Sequence, residues 1–302
     1  MNPLPRQKAY YYAIATVFLW STVATAFKLT LEHLTPLQLL FQANLVSAVT
    51  LLLVLAFERR LRELRCLGYS DIKRGFLLGL LNPLLYYLVL FKAYDLLPAQ
   101  VAQPINYTWA IMLSLLSVPF LGHRLSRSEL ISILICYSGV VVVVTHGDFH
   151  NIPFSSPLGI VLALSSTLIW SLYWIYNTRS SLDPVVSLFL NFASALPLTG
   201  ALNWFSGETL TLDTTGLLGA MYVGVVEMGL AFLFWLKAMR LTHSIARIAS
   251  LIYFSPFLSL LLIQFVLHED VRWSSIAGLV LIVSGNFFQR FPAEAKSEKR
   301  SG

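Results

Sequence analysis

The chain has 302 residues, 57% of them hydrophobic and only 12% formally charged, about half the roughly 25% charge content of an ordinary soluble domain. So few charges cannot cover a water-exposed surface of this size, which excludes most soluble enzymes, disulfide-stapled secreted domains and disordered scaffolds. The net charge of +6 is not a nucleic-acid footprint, because the basic residues sort by membrane side, and Cys66 and Cys136 offer neither metal-ligand spacing nor a disulfide framework.

A hydrocarbon core about 30 Å thick takes about 20 helical residues, and ten apolar runs near that length lie between charges, prolines and turn residues. In chain order they are 10–31, 36–57, 72–91, 99–121, 130–145, 158–177, 184–205, 216–239, 245–267 and 274–288. They read as helices, since lipid offers unpaired backbone amides no partner and the period-2 alternation of a barrel is absent. Arg6 and Lys8 ahead of the first run resemble a signal peptide, but the apolar stretch is too long and no small-residue cleavage site follows, so it reads as a retained span. Linkers are short, the longest being 58–71, and none has room for a soluble catalytic domain.

Sorting the cations over alternate loops places every Lys and Arg except Lys28, Lys92 and Arg272 on one side, the cytoplasmic side by the positive-inside rule. Both termini are then cytoplasmic.

Sliding the chain on itself by about half its length gives collinear matches, the signature of an internal repeat. Phe18-Leu19-Trp20-Ser21 meets Leu168-Ile169-Trp170-Ser171, Pro36 and Phe41 meet Pro184 and Phe189, and Gly79 meets Gly224. Further on, Lys92-Ala93 meets Lys237-Ala238, Tyr107 meets Tyr253, and Ser138-Gly139 meets Ser284-Gly285. The expected organisation is an N-terminal repeat over 1–147, a C-terminal repeat over 148–290 and a cytoplasmic tail over 291–302. Five spans per copy is an odd number, so the copies enter the membrane from opposite sides, the construction that secondary transporters use to hold a solute near the midplane.

These features carry a family resemblance. Ten spans in two halves, the Phe18-Leu19-Trp20-Ser21 and Ile169-Trp170-Ser171 segments early in each half, and the Ala-rich junctions before spans four and nine resemble the drug/metabolite transporter superfamily in its EamA-type branch. Phe18-Leu19-Trp20-Ser21-Thr22, Asn106-Tyr107-x-Trp109, and Gly229-Leu230-Ala231-Phe232 with Tyr253-Phe254-Ser255-Pro256 are similar to segments of bacterial exporters of aromatic and other amino acids in that branch. The glycine-glutamate pair frequent in this superfamily after the fourth helix of each half reads Gly122-His123 and then His268-Glu269 here. The resemblance implies export of amino acids with aromatic or other bulky apolar side chains, with transport of drugs, nucleobases or sugar derivatives on the same scaffold as the alternative; short loops, missing external sequons and no transit peptide fit a bacterial inner membrane.

Ionisable groups at membrane depth are costly, about 2.5–3.5 kcal/mol on insertion scales, so each needs a partner or a wet cavity. Glu227 lies in the middle of span eight between Gly224 and Gly229; it reads either as a binder of a substrate ammonium or proton carrier, or as a protonated acid bonded to a neighbouring helix. Its repeat counterpart Asn82, beside Pro83, is either a helix-break device or a site ligand. Span four carries Gln100, Gln103, Asn106 and Trp109 at steps of three, and the last three share a face that suits a cavity lining. Trp20 and Trp170 occupy corresponding mid-span places, where an indole is either packed core or a stacking wall for a solute. Tyr86, Tyr87, Tyr173 and Tyr253 add hydroxyls to that wall, and Gln42, Asn44 and Asn191 are possible polar lining. The candidate substrate site is therefore Trp20, Asn82, Tyr86, Gln103, Asn106, Trp109, Trp170, Tyr173, Glu227 and Tyr253. No hydrolase, metalloprotease, Walker A or selectivity-filter pattern occurs, so the expectation is a transporter and not an enzyme, without metal or cofactor, whose partners are a small solute and the bilayer, not nucleic acid, acting as monomer or homodimer.

Overall fold

Helix is the only regular secondary structure among the described residues of this computed structural model, which are 5–121, 127–148, 156–177, 180, 182–208, 213–241 and 251–288. The expected tail, and residues 245–250 of the expected ninth span, lie outside them. α1 (Pro5–Leu31) turns over through Thr35 into α2 (Pro36–Phe57). Thr35 is a built start signal: its hydroxyl accepts from the Gln38 N–H, the Gln38 side chain accepts from the Thr35 N–H, and Pro36 occupies the first turn, where no N–H is needed.

A 3₁₀ turn (Leu61–Cys66) precedes α3 (Tyr69–Gly79), a π-helical segment (Leu80–Leu85) and α4 (Tyr86–Leu96). Then follow α5 (Ala99–Asn106), α6 (Trp109–Leu121), α7 (Arg127–Val144) and α8 (Pro157–Asn177). α9 (Pro184–Phe205) starts at Asp183, whose carboxylate accepts from the Val185 N–H. α10 (Thr214–Tyr222) runs through a second π-helical segment (Val223–Ala231) into α11 (Phe232–Leu241). A 3₁₀ turn (Leu251–Phe254), α12 (Ser255–Val266) and α13 (Trp273–Phe288) complete the described chain.

Seven of these helical stretches are long and apolar enough to cross a membrane, and Leu251–Val266 and Trp273–Phe288 are shorter apolar helices. The chain is a multi-pass membrane protein. The expected fourth span is not one helix: it breaks at Tyr107–Thr108 between α5 and α6, just past Pro104, which has no N–H to return to the preceding turn.

Packing follows small residues. α2 lies against α9, α3 packs on α9 while α10 packs on α2, α4 packs on α8 while α11 packs on α1, and α7 pairs with α13. At Gly224 the backbone comes so near α2 that a Cβ would sit 2.6 Å from the Ala43 carbonyl oxygen, and at its counterpart Gly79 a Cβ would meet the Asn191 carbonyl of α9. Such close approach is how helices associate in a solvent as apolar as their own side chains.

The two ends of the bundle are tied by polar contacts. At one end Lys28 donates to the carbonyls of Tyr94 and Leu97 at 2.9 and 3.1 Å, and Glu269 accepts from the N–H groups of Ala99 and Gln100 at the start of α5. At the other, Arg60 reaches Glu63 at 2.7 Å, Asp183 at 3.0 Å and Glu58 at 3.2 Å, and Lys237 pairs with Glu58 at 2.7 Å. The bonded Lys237 ammonium holds the Glu58 carboxyl below its ordinary value of about 4.5, burial opposes this, and Arg60 reinforces it. Because the folded-state value is the lowered one, this contribution is complete above the ordinary value and is lost as pH falls through the lowered one. Exposed pairs contribute about 0.2–1 kcal/mol each, so Arg60→Met is expected to cost about 1–2 kcal/mol. Thermal unfolding in detergent should show a deficit that shrinks in 1 M salt, where the screening length is about 3 Å.

Candidate functional site

Both π-helical segments form where the sequence interferes with regular helix. Pro83 removes a backbone donor, and Asn82 adopts an extended conformation (φ −147°, ψ 117°) inside the turn. In the second segment Gly224 and Gly229 flank Glu227, and glycine holds helical geometry weakly. Widened turns of this kind re-aim side chains and are frequent at functional sites.

Glu227 is 8% exposed. The Tyr87 hydroxyl donates to its Oε1 at 3.2 Å, and the Trp20 indole borders the same carboxyl group. Oε2 has no hydrogen-bond partner among the described residues, and none of the ion pairs found among them involves Glu227.

The carboxyl faces a cavity of about 70 Å³ at the meeting of α1, α4, α5, α6, α8 and the second π-helical segment, with α11 closing one wall. Its lining includes Trp20, Phe27, Tyr86, Tyr94, Gln103, Asn106, Tyr107, Trp109, Trp170, Trp174, Glu227 and Trp235. The rings form a connected wall. Trp20 meets Trp235 at 5.5 Å and Phe232 at 6.2 Å, Phe232 meets Trp170 at 5.4 Å, and Trp170 meets Tyr86 at 4.5 Å and Trp174 at 5.9 Å. An engineered cavity of about 150 Å³ takes up benzene, so this one, at about half that volume, is too small for a phenyl ring unless its walls part.

Seven of the ten candidates therefore converge: Trp20, Tyr86, Gln103, Asn106, Trp109, Trp170 and Glu227. Gln103, Asn106 and Trp109 do so across the break in span four. The Asn106 amide donates to Ser166 at 3.0 Å and to Tyr86 at 3.5 Å, Ser171 donates to the Trp109 carbonyl at 2.9 Å, and Asn286 donates to the Tyr107 carbonyl at 3.3 Å.

The other three are placed elsewhere. Asn82 is fully buried within the helix break beside the Tyr173 hydroxyl, the break having turned it away from the cavity. Tyr173 stands one layer behind the wall, its ring 5.9 Å from Trp170 and its hydroxyl accepting from Asn191 at 3.1 Å. Tyr253 lies in the 3₁₀ turn, donating to the Asn286 carbonyl at 3.5 Å. Gln100 belongs to one end of the bundle, bonded to Asp270, Arg272 and Ser275, and Asn44 is spent on Thr199 at 3.4 Å. Trp174 and Trp235 were not among the candidates. The signal for both is helical spacing: Trp174 is four residues past Trp170 and Trp235 eight past Glu227, so each shares a face with a candidate.

The model of the EamA-like transporter family matches the chain twice, over residues 7–145 and 157–289. The "Uncharacterized transporter YvbV" of Bacillus subtilis (strain 168) is 26% identical over 290 residues, 94% of this chain and 92% of that protein. The "Probable amino-acid metabolite efflux pump" of Salmonella typhimurium is 25% identical over 303 residues, 94% of this chain and 95% of that protein. A solved crystal structure superposes with a TM-score of 0.66 at 21% identity, covering 96% of this chain and 98% of that one, and so shares its fold. With the family model covering nearly the whole length, this chain belongs to the EamA-like transporter family of membrane proteins.

Proposed function

We propose that this transporter exports amino acids with aromatic or other bulky apolar side chains from a bacterial cell, taking the solute through the Glu227 cavity by alternating access. In this reading ten spans form two five-helix copies of opposite orientation, with both termini cytoplasmic. The exchange of packing partners supports it: α3 lies on α9 as α10 lies on α2, and α4 on α8 as α11 on α1. So do the double family match, the confinement of Lys28, Lys92 and Arg272 to one set of loops, and the efflux pump among the relatives. The observation that carries the proposal is the Glu227 carboxyl, buried at membrane depth on an aromatic wall, with one oxygen unpartnered among the described residues. A buried charge left uncompensated is expensive, and a transported ammonium group supplies the compensation.

The rings surround the solute's apolar part while Gln103 and Asn106 meet its polar end. Purified protein reconstituted in liposomes should exchange internal phenylalanine for external radiolabelled phenylalanine, with competition by bulky amino acids exceeding competition by nucleobases or sugars. Absence of counterflow together with exchange of a nucleobase would replace the amino-acid reading by the alternative substrate class.

A further inference from the structure

We infer that the cavity selects net-cationic amines, whose carboxylate is absent or capped, over zwitterionic amino acids; this rests on the reading of the Glu227 cavity as the solute site. The buried polar atoms left unpartnered around the cavity show which charge it favours. Among the fully buried side-chain polar atoms of its lining residues, those without a partner among the described residues are two acceptors, Glu227 Oε2 and Gln103 Oε1, and one donor, the Trp174 indole N–H. Two acceptors, one of them an acid, suit an ammonium group. A neutral N–H suits a carbonyl or hydroxyl and does not offset a carboxylate charge.

The remaining amide, Asn106, already donates to Ser166 and Tyr86, and no Lys or Arg lines the cavity among the described residues. Ring faces carry the negative part of the aromatic quadrupole and attract cations, so the connected indole wall favours the same charge as Glu227. In a zwitterionic amino acid the carboxylate sits one carbon from the ammonium. Docking the ammonium on Glu227 therefore brings a second carboxylate beside the first, a like-charge contact in a desolvated site.

The test is titration calorimetry on the full chain in lipid nanodiscs with phenethylamine, phenylalanine and 3-phenylpropionate. These share one ring and differ in charge: cation, zwitterion and anion. The expected result is a Kd for phenethylamine at least tenfold below that for phenylalanine, and no detectable binding of 3-phenylpropionate. Glu227→Gln should bring the two amines within about twofold of each other, and Gln103→Leu, which keeps the acid, should weaken phenethylamine several-fold. The Gln103→Leu arm and the wild-type ranking decide the matter if Glu227→Gln fails to fold. Phenylalanine bound as tightly as phenethylamine or more tightly, and sensitive to Glu227→Gln, overturns the charge preference and leaves the site in place. Binding of all three ligands unaffected by both substitutions overturns the site and the preference together.

Discussion

Glu227→Gln should lower phenylalanine counterflow in proteoliposomes by at least about 30-fold while leaving the protein as heat-stable as the wild type. The two halves of that expectation come from one physical fact. Removing one partner of a buried, hydrogen-bonded charge pair costs about 2–5 kcal/mol, and each 1.4 kcal/mol is tenfold, so a solute ammonium that loses its carboxylate loses between one and several orders of magnitude in binding. The empty protein loses nothing comparable. A neutral amide of the same shape still accepts from the Tyr87 hydroxyl, and it relieves the cost of holding an acid at 8% exposure without a cation beside it. Tyr87→Phe is the informative companion, since it leaves the acid in place and removes only that donor, with an expected loss of about 1–3 kcal/mol. Unchanged flux in Glu227→Gln, measured per folded protein, would remove this residue from the transport mechanism.

Gly278→Leu should destabilise the fold by about 3 kcal/mol or more, with Gly278→Ala between it and the wild type. α13 and α7 touch backbone to backbone. A Cβ at Gly278 would meet the Val143 side chain and lie 2.6 Å from the Gly139 carbonyl oxygen, and one at Gly285 would lie 2.7 Å from the Ser132 oxygen and 2.8 Å from the Cys136 nitrogen. Side chains can rotate away from an intruding carbon; a helix carbonyl cannot. Overpacking a filled interior costs about 1–3 kcal/mol, and the top of that range applies where the obstacle is backbone and a whole isobutyl group must follow. In a bilayer the two helices have no hydrophobic force to hold them together once contact is lost. Thermal unfolding and size-exclusion behaviour in detergent check this, and a Gly278→Leu protein as stable and monodisperse as the wild type would show that α7 and α13 do not meet as described.

The candidate site was legible in the sequence, as a set of residues that line one cavity, where a residue type is costly in lipid whatever surrounds it. Glu227 was visible as a charge in mid-span, and Trp20, Trp170 and the Gln103, Asn106, Trp109 series as polar and aromatic groups placed away from the interface. Asn82 carried the same signal and went elsewhere, because Pro83 beside it broke the helix and turned the amide toward Tyr173. Tyr253 and Tyr173 were hydroxyls like Tyr86, but which face of a helix meets the cavity depends on its neighbours. Lys28 stands near the end of the first span, and only the fold brings it to the carbonyls at the end of α4, a contact between segments far apart in the chain.

By itself, the order of residues determined that this chain crosses a membrane many times as helices, since a charge-poor polypeptide in lipid must satisfy its own amides within each segment. That is a local requirement, and composition over about 20 residues decides it. Only the tertiary structure decided where helices become π-helical or break, which rings join into one wall, and how narrow the space beside Glu227 is. Those outcomes are set by how closely glycine-bearing helices approach one another and by which carbonyls each side chain can reach, distances that no single segment contains.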